Sequence, residues 1–173
     1  MVDIYCRDVD RSGMLRFSLF YLLNMLILFL LFTYQKQIDL QMMYTDMINP
    51  VVTFFINIIG IEAMHSGINI ILPTNVLKVI FGCNGLEAIL IFVAGVLAFS
   101  AGLRYKLKYI LQGIILISAI NIFRLVILAY VLEVHGNYFN LMHDYVTQHM
   151  MIFLAILLFL IFTSNVKSMK EVV

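Results

Sequence analysis

Cys83 opens the most chemically suggestive stretch of the chain, Cys83-Asn84-Gly85-Leu86-Glu87. Asn84 followed three residues later by Glu87 has the spacing of a capping box with Asn84 as N-cap, which puts the thiol at a helix N-terminus. Unpaired backbone N–H groups and the positive end of the helix dipole favour thiolate there, one route to an activated cysteine nucleophile. Glu87, if ionised, opposes that effect and suits a capping role or a cation's partner better. The competing reading of Cys83 is a small, buried, unreactive apolar residue.

Arg124 is the second anomaly. It falls inside an apolar segment about seven residues from its end, roughly 10 Å deep at the helical rise. Insertion of a central arginine costs about 2.5–3.5 kcal/mol, so an intramembrane guanidinium normally faces a polar cavity or a partner. Asn121 lies one turn away on a similar face. The two together suggest a polar pocket, and an ion pair between Arg124 and Glu87 that merely locks two helices is the alternative. Four histidines compete as proton carriers: His65, His135, His143 and His149. His143 and His149 are six apart, on different helix faces, and no H-E-x-x-H is present, so a metal centre has little support. His143, beside Asp144 at the start of an apolar segment and near water, suits proton transfer.

These side chains need elements to hold them. The 173 residues are 63% apolar and 12% charged, with mean hydropathy +1.01, a balance foreign to water-soluble domains. Lys and Arg number 11 against 10 Asp and Glu, so there is no basic excess for nucleic acid. No Pro/Gly/Ser-rich linker divides the chain, which reads as one domain over residues 1–173. The expected fold is all-α and membrane-embedded, with spans at 17–34, 86–103, 109–132 and 146–164. The first is a retained signal-anchor, because no small-x-small cleavage site follows it. Residues 51–61 are too short to span and are broken by Asn57, predicting an interfacial or re-entrant helix. Residues 68–72 and 76–81, separated by Pro73-Thr74-Asn75, predict a short hairpin. Ala94, Ala98 and Gly102 form a small-residue stripe for close helix approach.

Basic residues gather at alternate helix ends: Arg7, Arg11 and Arg16, then Arg104, Lys106 and Lys108, then Lys167 and Lys170. By the positive-inside rule these ends and both tails, 1–16 and 165–173, are cytoplasmic. The segment between the first two spans, carrying Lys36 and Lys78, and residues 133–145 then face outward. Cys6 lies in the inner tail and cannot pair with Cys83 within a monomer. Cys83, Arg124 and His143 all fall toward the outer side, where chance would scatter them.

The stretches Gly82-Cys83-Asn84-Gly85-Leu86-Glu87-Ala88, Asn121-Ile122-Phe123-Arg124-Leu125 and His143-Asp144-Tyr145 resemble the exosortase/archaeosortase family of integral membrane cysteine transpeptidases. The resemblance covers roughly residues 48–164 and looks most like the short exosortase H type. Two departures are Ser100 in place of proline and Thr147 in place of tryptophan; neither falls on Cys83, Arg124 or His143. The resemblance implies a protease or transpeptidase of the bacterial cytoplasmic membrane that cleaves C-terminal sorting signals. Such a signal comprises a recognition motif, a transmembrane helix and a basic cluster, as in PEP-CTERM proteins. Cys83 would be the nucleophile of a thioester intermediate, Arg124 the oxyanion stabiliser and His143 the acid and base, supported by Asn84, Gly85, Glu87 and Asn121. The partners implied are substrate proteins, membrane lipid and an acceptor nucleophile of unknown identity; no cofactor is implied. The sequence also admits a non-enzymatic transporter subunit or assembly factor, or a thiol acyltransferase, and leaves open whether His149 or His135 takes the place of His143.

Overall fold

The computed structural model describes residues 11–34, 40–80 and 82–171. Cys6 and Arg7 of the inner tail, Lys36, Phe81 at the end of the predicted hairpin, and the last two residues lie outside the described residues. The chain is mostly helical: α1 (Arg11–Tyr34), α2 (Leu40–Ile58), α3 (Leu86–Ala98), α4 (Leu103–Val134) and α5 (Gln148–Glu171), with β1 (Met64–Ser66), β2 (Asn69–Ile71) and β3 (Val76–Lys78) between α2 and α3. Among the described residues, three helical segments are long and apolar enough to cross a membrane, at Gly13–Leu30, Leu103–Val134 and Leu141–Val166. This is the pattern of a multi-pass membrane protein.

The helices occupy the predicted regions with shifted ends. α3 stops at Ala98 because Phe99 is extended (φ −75°, ψ 142°), and the Lys106 ammonium donates to Leu97 O at 2.7 Å, covering a terminal carbonyl. At 13 residues α3 is about 20 Å long, short of the hydrocarbon thickness. Gly102 therefore lies outside it, as N-cap of α4, and the expected stripe of Ala94, Ala98 and Gly102 is not continuous. Close approach comes instead from two other glycines. A Cβ at Gly95 would sit 3.0 Å from Phe159 of α5, and one at Gly113 would sit 2.0 Å from the Phe92 ring. Around these contacts Phe92, Val96, Ile117, Ala155 and Phe162 form a buried core between α3, α4 and α5.

α2 is longer than the apolar run that predicted it. Its buried residues Thr45, Ile48, Asn49, Val52, Thr53 and Ile56 recur at helical spacing and pack toward Leu125, Val126 and Ala129 of α4. Asn57 closes the helix end, donating to Ala63 O at 3.2 Å and accepting from Ala63 N at 2.8 Å. The predicted hairpin is β2 paired antiparallel with β3, Ile70 opposite Leu77, and a third strand, β1, adds to it in the order β1-β2-β3. Glu133 near the end of α4 clamps the turn, accepting from Thr74 N at 3.0 Å, Thr74 Oγ1 at 2.9 Å and Asn75 Nδ2 at 3.2 Å.

Gly113→Ala is expected to destabilise the detergent-solubilised protein by about 1–3 kcal/mol, because the added methyl overpacks the α3–α4 contact. Gly102→Ala, with nothing within 4 Å of its Cβ, serves as the control. Thermal unfolding that gives both variants the same Tm contradicts this packing account.

Candidate active site

Cys83 sits in the tight loop between β3 and α3, 3% exposed. The loop folds because Gly82 (φ +91°) and Gly85 (φ +79°) take left-handed conformations that a side chain disfavours. Both the Cys83 and Asn84 amides donate to Ile80 O, at 2.9 and 3.1 Å. A Cβ at Gly85 would lie 2.7 Å from Asn121 Cγ, so the loop rests directly against α4.

The capping box does not form. Gly85, not Asn84, is the N-cap of α3, and as a glycine it has no side chain with which to cap the helix. The left-handed turn at Gly85 moves the helix start one residue on, and Asn84 Oδ1 accepts instead from Leu86 N at 3.1 Å while Asn84 Nδ2 donates to Thr45 at 3.4 Å. The thiol thus stands three residues before the first helical residue, where the dipole has less purchase. Burial is the largest influence on Cys83 and pushes its thiol up from the ordinary value of 9.0; Arg124 opposes this, and Asp144 and Glu87 reinforce it. Burial therefore favours the neutral thiol, whereas the helix-terminal position expected from the sequence favours thiolate.

His143 compensates. Its Nε2 is hydrogen-bonded to Cys83 Sγ, and its Nδ1 to Asp144 Oδ1 at 2.7 Å. A carboxylate accepts only, so Nδ1 carries the proton and Nε2 turns its lone pair to the thiol. The ring stacks on Phe139, centroids 5.5 Å apart. His143 belongs to a π-helical segment, Leu141–Thr147, that leads into α5. Segments of this kind recur at functional sites because the wider turn re-aims side chains. His65 is exposed on β1, His135 caps the end of α4, and His149 hydrogen-bonds Tyr145 O at 2.7 Å; none of the hydrogen bonds seen for these three reaches Cys83.

Arg124 is 1% exposed. Its Nε donates to Thr147 Oγ1 at 2.9 Å, and Nη1 donates to Gly82 O at 3.3 Å and Asn121 Oδ1 at 3.5 Å. Nη2 is buried without a partner. The guanidinium therefore joins α4, the Cys83 loop and the π-helical segment. The expected alternative of an Arg124–Glu87 ion pair is not observed; the ion pair found among the described residues joins His143 and Asp144. Thr147, a departure that falls on none of the three candidate catalytic positions, is a direct partner of Arg124. It and Phe139 lie four residues to either side of His143, so helical spacing was the signal that could have found both.

Cys83, Glu87, His143, Val76, Leu77, Lys78, Leu132 and Phe139 help line a cavity of about 420 Å³. Arg124 is not part of its wall and approaches from behind the loop. Among the described residues, no three His, Cys, Asp or Glu side chains are grouped as metal ligands would be.

A buried thiol bonded to an imidazole that is itself bonded to a carboxylate, beside a buried guanidinium, is an arrangement suited to nucleophilic acyl transfer. The family model described as transmembrane exosortase matches residues 6–162. The chain belongs to the transmembrane exosortase family. No curated protein and no solved structure matches it.

In a Cys6→Ser background, alkylation of Cys83 by iodoacetamide is expected to rise with a midpoint above 9.0, the ordinary thiol value. Arg124→Gln removes a cation that favours thiolate, so its midpoint should move higher still. A wild-type midpoint below 9.0 contradicts burial as the leading influence.

Proposed function

We propose that this exosortase is a membrane-embedded cysteine protease or transpeptidase that cleaves the C-terminal sorting signal of exported proteins. In this reading α1, α3, α4 and α5 are four crossings, α2 and the sheet lie at the outer surface, and both tails are cytoplasmic. The site then faces the periplasm or exterior of a bacterial cytoplasmic membrane. The substrate's own transmembrane helix lies beside the enzyme, which brings its recognition motif to the level of Cys83.

The observation that carries the reading is the hydrogen-bonded chain Cys83–His143–Asp144. A thiol that burial pushes up needs a base in contact with it, and His143 Nε2 is that base in this reading. As Cys83 attacks the scissile carbonyl, its proton passes to His143 and the carbonyl oxygen takes the negative charge. The amides of Cys83 and Asn84 are already committed to Ile80 O, so the loop backbone has no oxyanion hole to offer from them. The buried Arg124 guanidinium, with Nη2 unpartnered, is a charged donor beside the loop, and low dielectric strengthens its effect. Collapse of the tetrahedral intermediate breaks the C–N bond. His143 gives its proton to the departing amine, leaving a thioester on Cys83. An acceptor nucleophile, deprotonated by His143, then takes the acyl group: transfer to an amine or hydroxyl is transpeptidation or ligation, and transfer to water is hydrolysis. Gly85 allows the loop to sit against Asn121, which with Thr147 fixes the guanidinium.

Processing of a co-expressed exported protein bearing a sorting signal tests this. Cys83→Ala is expected to accumulate in the membrane and to yield no processed product. Arg124→Ala and His143→Ala should each lower the rate by about 10²-fold or more. Full processing by Cys83→Ala ends the proposal.

A further inference from the structure

We propose that the free edge of β3 is the docking strand for the substrate: its recognition segment adds to the sheet as an extended fourth strand and so delivers the scissile peptide to Cys83. The inference rests on the peptide-cleaving reading above and goes beyond it in naming how the peptide is held.

The order β1-β2-β3 leaves β3 paired on one side only. Hydrogen-bond parity says which of its backbone groups are spare. Val79 N donates to Ile68 O at 2.8 Å and Leu72 N donates to Asn75 O at 2.9 Å, and both pairs continue the register in which Ile70 faces Leu77. In an antiparallel ladder the bonded pairs alternate with unbonded ones, so Asn75, Leu77 and Val79 point their amides and carbonyls at β2. Val76 and Lys78 point theirs the opposite way, which among the described residues offers two donors and two acceptors along the free edge.

That edge, with Val76 and Lys78 exposed, borders the site cavity. Val76, Leu77 and Lys78 line the same cavity of about 420 Å³ as Cys83 and His143, with Leu132 and Phe139 supplying apolar wall. A strand laid there meets backbone hydrogen bonds on one side and the thiol at the end of the same groove, since Cys83 follows Lys78 by one tight turn. Strand addition is a general mode of peptide capture in which main-chain bonds supply affinity and alternate side chains supply selectivity. An exposed edge would ordinarily invite pairing between copies; β3 has three residues and carries Lys78, two devices that discourage it. The occupant that fits is a short extended peptide segment. The clamp of Glu133 on the Thr74–Asn75 turn holds the edge fixed relative to α4.

The probe is an exported reporter ending in a sorting signal taken from a protein of the same genome, with single cysteines placed along its recognition motif. The enzyme carries Cys6→Ser, Cys83→Ala and Val76→Cys, and oxidative cross-linking in membranes is read by gel shift. Cross-links at alternate motif positions are expected. Cross-links with a three-to-four-residue period, or none at all, overturn the proposal. Because this scan reads where the motif lies and not whether it is cleaved, its result is independent of whether Cys83 is the nucleophile, which the processing assay decides separately. In the active enzyme, Lys78→Pro deletes an outward N–H and leaves the β2 ladder intact, whereas Lys78→Ala keeps that N–H. Lys78→Pro should lower kcat/KM about tenfold more than Lys78→Ala, the effect of one lost backbone hydrogen bond. Equal losses in the two variants overturn the proposal, and if Lys78→Pro does not accumulate the cross-linking pattern decides alone.

Discussion

A guanidinium buried at 1% exposure is the constraint around which the rest of the site is arranged. Arg124 lies within a 32-residue apolar helix, where an unsatisfied charge is expensive, and its hydrogen bonds are drawn from three separate elements. Asn121 comes from its own helix, Gly82 O from the loop before α3, and Thr147 from the π-helical lead into α5. Whatever meets the need of the cation also fixes the positions of Cys83 and His143, because Gly82 precedes the first and Thr147 follows the second by one helical turn. The two left-handed glycines let the loop reach the guanidinium, and the tight seat of Gly85 on Asn121 keeps it there.

The electrostatics follow from the same burial. Desolvation pushes the Cys83 thiol up, against the thiolate-favouring effect that a helix N-terminus would have. In the proposed mechanism an imidazole in direct contact takes that part. His143 is oriented from both sides, by Asp144 at Nδ1 and by Phe139 against the ring face. The field of Arg124 reaches the thiol although the side chain is absent from the cavity wall, and Nη2 is left without a partner. In the proposed mechanism the charges develop during reaction, where preorganised groups have the greatest effect.

Much of this was legible in the residues. Length and apolarity located the helical segments, β-branched runs around Pro73-Thr74-Asn75 located the hairpin, and Arg124 announced itself as a charge in an apolar segment. The missing parts share a cause. β1 is a three-residue strand with no alternation to reveal it, and α2 begins in a mixed stretch where the buried face is partly polar, at Thr45, Asn49 and Thr53. Asn84 has a capping residue's chemistry, yet a positive φ at Gly85, a property of the fold and not of the Asn-x-x-Glu spacing, moves the helix start past it. Thr147 read as a family departure; its four-residue spacing from His143 pointed to the site, and the packing makes it a partner of Arg124. Ala94, Ala98 and Gly102 had the spacing of a packing stripe, but the extended Phe99 divides them between two helices.

The central claim is that the sulfur of Cys83 takes the acyl group of the cleaved peptide. Acid-quenched mass spectrometry of purified enzyme mixed with a sorting-signal substrate reads this directly. The account predicts a transient mass increase on the Cys83 peptide equal to the N-terminal product acyl group, released by hydroxylamine. Cleaved product appearing in the first turnover with no adduct on Cys83 contradicts it.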